Sequence, residues 1–393
     1  MEGQAEWGND DRGRVFAMDL VRVGIVGMGN MGTGHAKYLG EGLVEGAVLG
    51  AVCDERTEHL TQVLEKLKLG DVQKFADPKT MMASGAVDAV LICTPHYSHP
   101  ELAIMGFDHG LHVLIEKPAG VYTRQVREMN EASARTDRVF GIMYNQRTNP
   151  LYQKLRELVQ AGELGTIRRA NWIITDWYRS QSYYNSGGWR ATWAGEGGGV
   201  LVNQVPHQLD LWQWTMGMMP TRIRAFCSFG KHRDIEVENE VTAYAEYANG
   251  ASAVFITSTC EAPGTNRFEV TGDRGKIVIE KGQMKFWRLR VSETEFNATY
   301  TGSFGQPECW QCDIPIKSGD GNQHMGITCD WVNAIRKGTP LLAPGVEGIH
   351  GLTLSNAMLL SSWTDDWATL PLDEERFYTL LQERINSSKA VKA

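Results

Sequence analysis

Lys117 stands in Glu116-Lys117-Pro118 at the end of an apolar run, a motif that begins 84 residues beyond the glycine cluster Gly27-Met28-Gly29-Asn30-Met31-Gly32. A lysine at a strand end can polarise a hydroxyl, and a glycine cluster between strand and helix can hold a dinucleotide. His207, with Asn203 four residues before it and Asp210 three after, is a second group able to move a proton. This set predicts oxidation of a secondary alcohol: one group withdraws the hydroxyl proton while hydride leaves the carbon for a nicotinamide ring.

The ordinary pKa of histidine suits neutral pH, whereas Lys117 needs burial and a neighbouring positive charge to become a base. His207 is therefore read as the acid/base and Lys117 as the group polarising the reacting oxygen or sharing its proton. If residues 200–216 form one helix, Asn203, His207 and Asp210 share a face about 60° wide. That requires a start near Val202, so that Pro206 falls in the first turn.

In the glycine cluster, Gly27 permits a tight turn, Gly29 lets the backbone approach a pyrophosphate, and Gly32 allows close helix packing. Amides around Met28, Asn30 and Met31, at the helix start, offer donors and positive potential to phosphate. Asp54, 22 residues past Gly32, is placed to accept from ribose hydroxyls and to repel a 2′-phosphate, which favours NAD over NADP. Arg56 points the other way, since an arginine there can hold that phosphate.

Trp172, Trp177, Tyr178, Tyr183, Tyr184, Trp189 and Trp193 interleave with Asp176, Arg179 and Arg190. Flat apolar rings beside polar groups suit a carbohydrate, and Tyr178, Arg179, Trp189 and Arg190 are the expected substrate contacts. About half of these aromatics are expected to fill the core instead. Residues 195–199, Gly-Glu-Gly-Gly-Gly, follow no strand and are read as a flexible lead into the His207 helix. His35 and His112 are read as packing or capping residues. Cys309, Cys312, His324 and Cys329 do not repeat a two-residue spacing, so no metal site is expected.

The elements that position these residues alternate. Strand-like runs at Val21–Val26, Ala47–Cys53, Ala89–Cys93 and His112–Ile115 are separated by helical segments such as Met31–Leu39, Glu58–Leu67 and Glu101–Asp108. This predicts an α/β domain with a doubly wound parallel sheet. Beyond residue 145 comes a helix from Pro150 to Ala161, then strands at Ile167–Thr175, Arg222–Phe229, Val241–Tyr247 and Ala253–Thr259. Asn249-Gly250 and Asp273-Arg274-Gly275 mark hairpins, the second joining Phe268–Thr271 with Lys276–Ile279. The second domain is expected to be α+β with a large, mainly antiparallel open sheet. Residues Met325–Lys337 and Val346–Trp363 are expected to be helical. The boundaries are an extension at 1–18, a Rossmann domain at 19–145 and a second domain at 146–393, whose last helices can return to the first domain.

With 39 basic and 47 acidic residues, the formal charge is −8, and no block of one sign favours nucleic acid or a membrane surface. No apolar run approaches the roughly 20 residues that cross a bilayer, and the opening residues are polar and acidic. A small-molecule partner, a cytoplasmic location and reduced cysteines are expected.

The chain resembles the glucose-fructose oxidoreductase, inositol dehydrogenase and MocA family through GMGNMGTGHA at 27–36, CTPHYSHPELA at 93–103, GLHVLIEKP at 110–118 and GGGVLVNQVPHQLDLW at 197–212. The resemblance implies that Thr94, Pro95 and His99 lie near the nicotinamide, that Glu116 reaches its ribose, that Lys117 is the family's catalytic lysine, and that Asn145 borders the cleft. It implies a homo-oligomer formed through the open sheet. The implied reaction is NAD-dependent oxidation of a ring hydroxyl, at C3 for instance, of a sugar, glycoside or polyol. Redox-assisted glycoside cleavage with bound NAD and a non-catalytic NAD sensor are the alternatives. Asn203 departs from the family, which commonly carries aspartate there; an amide cannot raise the basicity of a proton relay.

Overall fold

Short, mostly apolar and largely buried runs form the first sheet in a computed structural model that describes residues 20–388 and the paired strands Trp7–Asn9 and Val15–Ala17. The rest of the expected 1–18 extension lies outside the described residues. The strands are β1 (Val21–Val26), β2 (Ala47–Cys53), β3 (Gln73–Phe75), β4 (Ala89–Ile92), β5 (His112–Ile115) and β6 (Phe140–Ile142). They are all parallel, in the order β3-β2-β1-β4-β5-β6. Strand order reverses between β1 and β4, so a crevice opens beyond their carboxyl ends. The glycine cluster, Thr94 and Lys117 follow β1, β4 and β5 at that edge. The three-residue β3 and β6 are too short to show a periodicity, and the sequence reading passes over them.

The second sheet has nine strands: β7 (Ile167–Ile174), β8 (Arg222–Phe229), β9 (Glu238–Glu246), β10 (Ser252–Ser258), β11 (Asn266–Gly272), β12 (Gly275–Glu280), β13 (Gln283–Leu289), β14 (Cys309–Cys312) and β15 (Ala368–Thr369). Their order is β14-β13-β12-β11-β7-β10-β9-β8-β15. Only the central β7–β10 pair is parallel. Asn249-Gly250 joins β9 to β10, with Gly250 at φ +82°, and residues 273–274 join β11 to β12. One face packs under helices. Trp172 stacks on Phe268 at 4.2 Å and Trp212 on Phe255 at 5.4 Å, filling the layer between sheet and helices. Phe226 and Tyr244, by contrast, remain exposed on neighbouring strands.

The chain then returns. Helix Gln323–Lys337 buries Ile327, Trp331 and Val332 in the core of the first sheet, and Ile142 N–H donates to Ala343 O at 3.1 Å.

The single helix expected over 200–216 does not form. Val200–Gln204 is a π turn, Val205 leaves helical geometry at ψ 17°, and a new helix, Pro206–Met216, begins with proline at its first position. Pro206 has no N–H to continue the earlier turn and is preorganised to start the later one. Asn203 is thereby separated from the helix that carries His207 and Asp210.

Candidate active site

The glycine cluster meets the steric needs of a phosphate-binding turn. Gly27 adopts φ +91°, and a Cβ there would stand 2.8 Å from the Cys93 carbonyl oxygen. At Gly32 a Cβ would fall 1.9 Å from Gly27 O, whereas at Gly29 it would meet nothing within 4 Å. The first and third glycines are thus required by packing, and the second leaves open space. Helix Asn30–Gly40 starts there, so the amides of Asn30, Met31 and Gly32 have no partner one turn back and can donate to phosphate.

Met28 differs from its neighbours: its side chain is buried, and its amide donates to Asp54 Oδ2 at 2.9 Å. Arg56 closes on the same carboxylate through its amide at 3.0 Å, Nε at 3.1 Å and Nη2 at 3.3 Å. Burial works against the Asp54 charge, but these donors hold its pKa below the usual carboxylate value. A buried, ionised acceptor at the end of β2 fits the ribose of a dinucleotide.

At the far end of the crevice, His99 joins two loops. Its Nδ1 lies 2.8 Å from Pro118 O and its Nε2 2.8 Å from Thr94 O. A neutral imidazole donates to one of them at a time. Burial pushes the His99 pKa down. Pro95 precedes the short turn His96–Ser98 that leads into the helix His99–Asp108, and Ser98 Oγ donates to Thr94 Oγ1 at 2.8 Å. Glu116 is buried against His35, with Oε1 2.8 Å from Nε2. The chain extends through Tyr38 to Thr328 Oγ1, 2.7 Å from the Tyr38 hydroxyl. Burial alone would raise the Glu116 pKa, but the His35 hydrogen bond and the fields of His35, His324 and Lys117 bring it down to about 2.

Lys117 reaches across to the second domain, where Nζ donates to the backbone carbonyl of Asn203 at 2.9 Å. Burial lowers its pKa; Glu116 and Glu196 oppose that shift, and Arg190 and Arg179 add to it. The Asn203 side-chain nitrogen donates to Glu196 Oε1 and, at 3.3 Å, to the Tyr183 hydroxyl. Arg190 donates to the same hydroxyl at 3.0 Å and lies 3.9 Å from Glu196. Glu196 is buried, accepts from Ala191 N–H at 2.6 Å, and has its pKa pushed up by burial to about 7.

His207 requires a correction. Burial, reinforced by Lys117, drives its pKa well below the ordinary histidine value, so the imidazole is neutral at pH 7 and a weak base. Its Nδ1 is buried without a hydrogen-bond partner among the described residues. The expectation that its pKa matches neutral pH fails because the ring is out of water and shares its field with a cation.

The other expected contacts divide. Asp210 is fully buried and gives both oxygens to Arg147, at 2.6 and 2.8 Å, so the structure commits it to an ion pair rather than to a ligand. Arg147 also binds Glu347 at 2.5 Å. Asn145 is buried, donates to Gln323 Oε1 at 2.6 Å, and leaves its own Oδ1 without a partner. Trp189 packs edge-on to His96, with the Arg190 guanidinium 4.5 Å from its ring centre. Arg179 lies over Trp177 and Tyr183, and the exposed Tyr178 meets Arg233. Of the seven aromatics, Trp172, Tyr184 and Trp193 belong to the core.

The sequence reading missed four members of this constellation. His35, read as a packing or capping residue, stands on the glycine-turn helix one turn past Gly32, and that position is the available signal. Glu196 lay hidden in a glycine run. Tyr183 was one aromatic among several, and His324, weighed only as a metal ligand, faces His35 at 5.8 Å between ring centres. Among the described residues no group of three or more His, Cys, Asp or Glu side chains is arranged to hold a metal. His112 does serve packing: Nδ1 accepts from Val139 N–H at 2.9 Å.

Comparison with known proteins matches this geometry to a family. Residues 21–144 match the oxidoreductase family with an NAD-binding Rossmann fold, and residues 152–278 match the GFO/IDH/MocA C-terminal domain. The chain is 27% identical to the myo-inositol 2-dehydrogenase of Thermotoga maritima over 274 residues, 66% of this chain and 75% of that protein. It is 30% identical to the D-glucoside 3-dehydrogenase of Escherichia coli K12 over 200 residues, 50% of this chain and 54% of that protein. The fold matches the Bordetella pertussis WlbA dehydrogenase, solved with NADH and UDP-GlcNAcA, at a TM-score of 0.75 and 23% identity, covering 90% of this chain and all of that one. With both halves matched in order, the chain belongs to the GFO/IDH/MocA family of oxidoreductases.

Proposed function

We propose that this oxidoreductase oxidises a secondary ring hydroxyl of a sugar, glycoside or polyol to a ketone, hydride leaving the carbon that bears it, with NAD as acceptor. The observation that carries the reading is Lys117: an amine with a burial-lowered pKa, at the crevice edge of the Rossmann sheet, held by the Asn203 carbonyl of the opposite domain. The relatives that oxidise inositol and D-glucosides support the substrate class, and the second of them supports C3 as the position.

NAD, when bound, supplies the nicotinamide carbon that accepts the hydride. The protein's own residues handle the rest. Lys117 takes the hydroxyl proton as its amine and returns it in the reverse direction. His207, neutral, is a hydrogen-bonding group for the reacting oxygen rather than the principal base. Glu116 meets the cofactor ribose and is held ionised by His35. Arg190, Trp189, Tyr178 and Arg179 offer donors and ring faces to the sugar. Asp54 favours NAD over NADP, because a 2′-phosphate would meet an ionised carboxylate whose arginine neighbour is already engaged. Exposed Phe226 and Tyr244 support a subunit contact through the second sheet. No helix among the described residues is long and apolar enough to cross a membrane.

The test is NADH absorbance on incubation with NAD and a panel of inositols, free sugars, and O- and C-glycosides, with mass spectrometry of the products. NADH with a product two hydrogens lighter is expected. Cleavage without NADH would replace the proposal with redox-assisted elimination.

A further inference from the structure

Asn203 joins two groups that the sequence leaves unrelated. Its backbone carbonyl accepts from Lys117 Nζ, and its side-chain nitrogen donates to Glu196 Oε1. The second Glu196 oxygen is taken by Ala191 N–H. With the amide nitrogen turned to Glu196 and Tyr183, the Asn203 side-chain oxygen makes no hydrogen bond among the described residues.

We propose that Glu196 is the positioning residue for proton transfer: it fixes the Asn203 amide so that its oxygen is left for a substrate hydroxyl, and its ionisation sets the balance of ammonium and amine at Lys117. This rests on the reading of Lys117 as the proton acceptor. The groups that face Glu196 come from several elements. Arg190 and Tyr183 stand on the aromatic segment, and Lys117 follows β5. His96 places Nδ1 3.2 Å from the Glu196 carbonyl oxygen, and Glu238, on β9, feels the Glu196 charge. Tyr184 feels it as well. Burial holds the carboxyl near neutrality, with the Ala191 amide, Arg190, the Asn203 amide and Lys117 opposing the shift, so protonated and ionised forms both exist at working pH. Ionised Glu196 raises the Lys117 pKa; neutral Glu196 does not. The two therefore titrate as a coupled pair.

The experiment is competitive acylation of Lys117 across pH, read by mass spectrometry of its peptide, in the wild type and in Glu196→Gln and Glu196→Asp. In Glu196→Gln the apparent Lys117 pKa should fall by about one unit, while Glu196→Asp, which restores the charge, should titrate close to wild type. Where turnover is measurable, the rising limb of kcat/KM for oxidation should move to lower pH by the same amount. An unchanged Lys117 titration in a Glu196→Gln protein that still unfolds cooperatively would overturn the proposal. Should that variant not fold, the wild-type curve decides: a coupled pair gives a second, shallower inflection near neutral pH, and a single inflection removes the idea. Labelling needs no turnover, so a failure to oxidise any sugar would count against the proposed reaction and leave this result standing.

Discussion

Glu116 and Glu196 are both buried carboxyls that act on Lys117, one from each domain, yet burial leaves them in opposite states. Glu116 receives a hydrogen bond from His35 within a chain that runs through Tyr38 to Thr328, and its pKa sits at about 2. Glu196 receives an amide N–H and a carboxamide N–H, with its nearest cation at 3.9 Å, and its pKa rises to about 7. Burial acts against the charged form of both; what differs is whether a charged or strongly donating partner offsets it. The Rossmann half therefore presents a permanent anion beside the cofactor crevice. The second half presents a carboxyl that can change state, and Lys117 lies between these influences.

The largest effect should come from removing the group on which the comparison turns. Lys117→Ala is expected to lower turnover by roughly 10²–10⁴-fold, the usual weight of a positioned acid/base, with NAD binding largely retained. Steady-state kinetics with NAD titration by fluorescence checks this, and near-normal turnover would remove Lys117 from the chemistry.

Arg147 tests the same rule in a pair with a full cation. Asp210 and Glu347 hold its guanidinium strongly charged despite burial, so Arg147→Met leaves Asp210 buried without a counter-charge. A loss of about 3–5 kcal/mol in urea unfolding is expected. A loss below about 1 kcal/mol would mean that water reaches Asp210 in the variant.

The two glutamates should also give stability opposite slopes with pH. Glu116 has a folded pKa below its unfolded value near 4.5, so its contribution is present above pH 4.5 and disappears as pH falls towards 2. Glu116→Gln should thus cost on the order of 3 kcal/mol at neutral pH and little at the acid end. Glu196 is raised, so its folded form binds the proton more tightly. Its destabilising effect is absent below pH 4.5, grows as pH rises to about 7, and is then constant. Relative to wild type, Glu196→Gln should gain stability over that interval. Urea midpoints of both variants at several pH values, without added NAD, decide it, and parallel curves would show that the two sites do not differ.

The contrast also marks how far sequence reaches. The Rossmann half was legible because each feature is local: an apolar run, a glycine turn and a helix in immediate succession place Gly27, Gly29, Gly32, Asp54 and Lys117 by chain continuity. Glu116–His35 was not, since it joins residues 81 apart in the chain across two elements. In the second half the site depends on a π turn at 200–204 that no periodicity announces, and on Pro206 restarting the helix. Asp210 shares the helix Pro206–Met216 with His207, but the fold buries it against Arg147, 63 residues away in the chain, a pairing that no local pattern announces. The Glu196 carboxyl could not be weighed without knowing which side chain sits in front of it.

The smallest expected effect tests the legible half. Asp54 accepts from Met28 N–H and three Arg56 donors, so its charge is already partly matched before any ribose arrives. Asp54→Asn keeps the shape but removes the anion and frees the Arg56 guanidinium, which then faces solvent with no carboxylate to hold it. Both changes favour a 2′-phosphate over a bare hydroxyl. Because Arg56 is exposed and screened, the shift should be modest, about tenfold in the ratio of NAD to NADP efficiency, or roughly 1.4 kcal/mol. Measuring kcat/KM for both cofactors at fixed ionic strength gives the ratio directly. If the wild type already uses both equally, Arg56 and not Asp54 governs that end of the crevice, and the variant should leave the ratio unmoved.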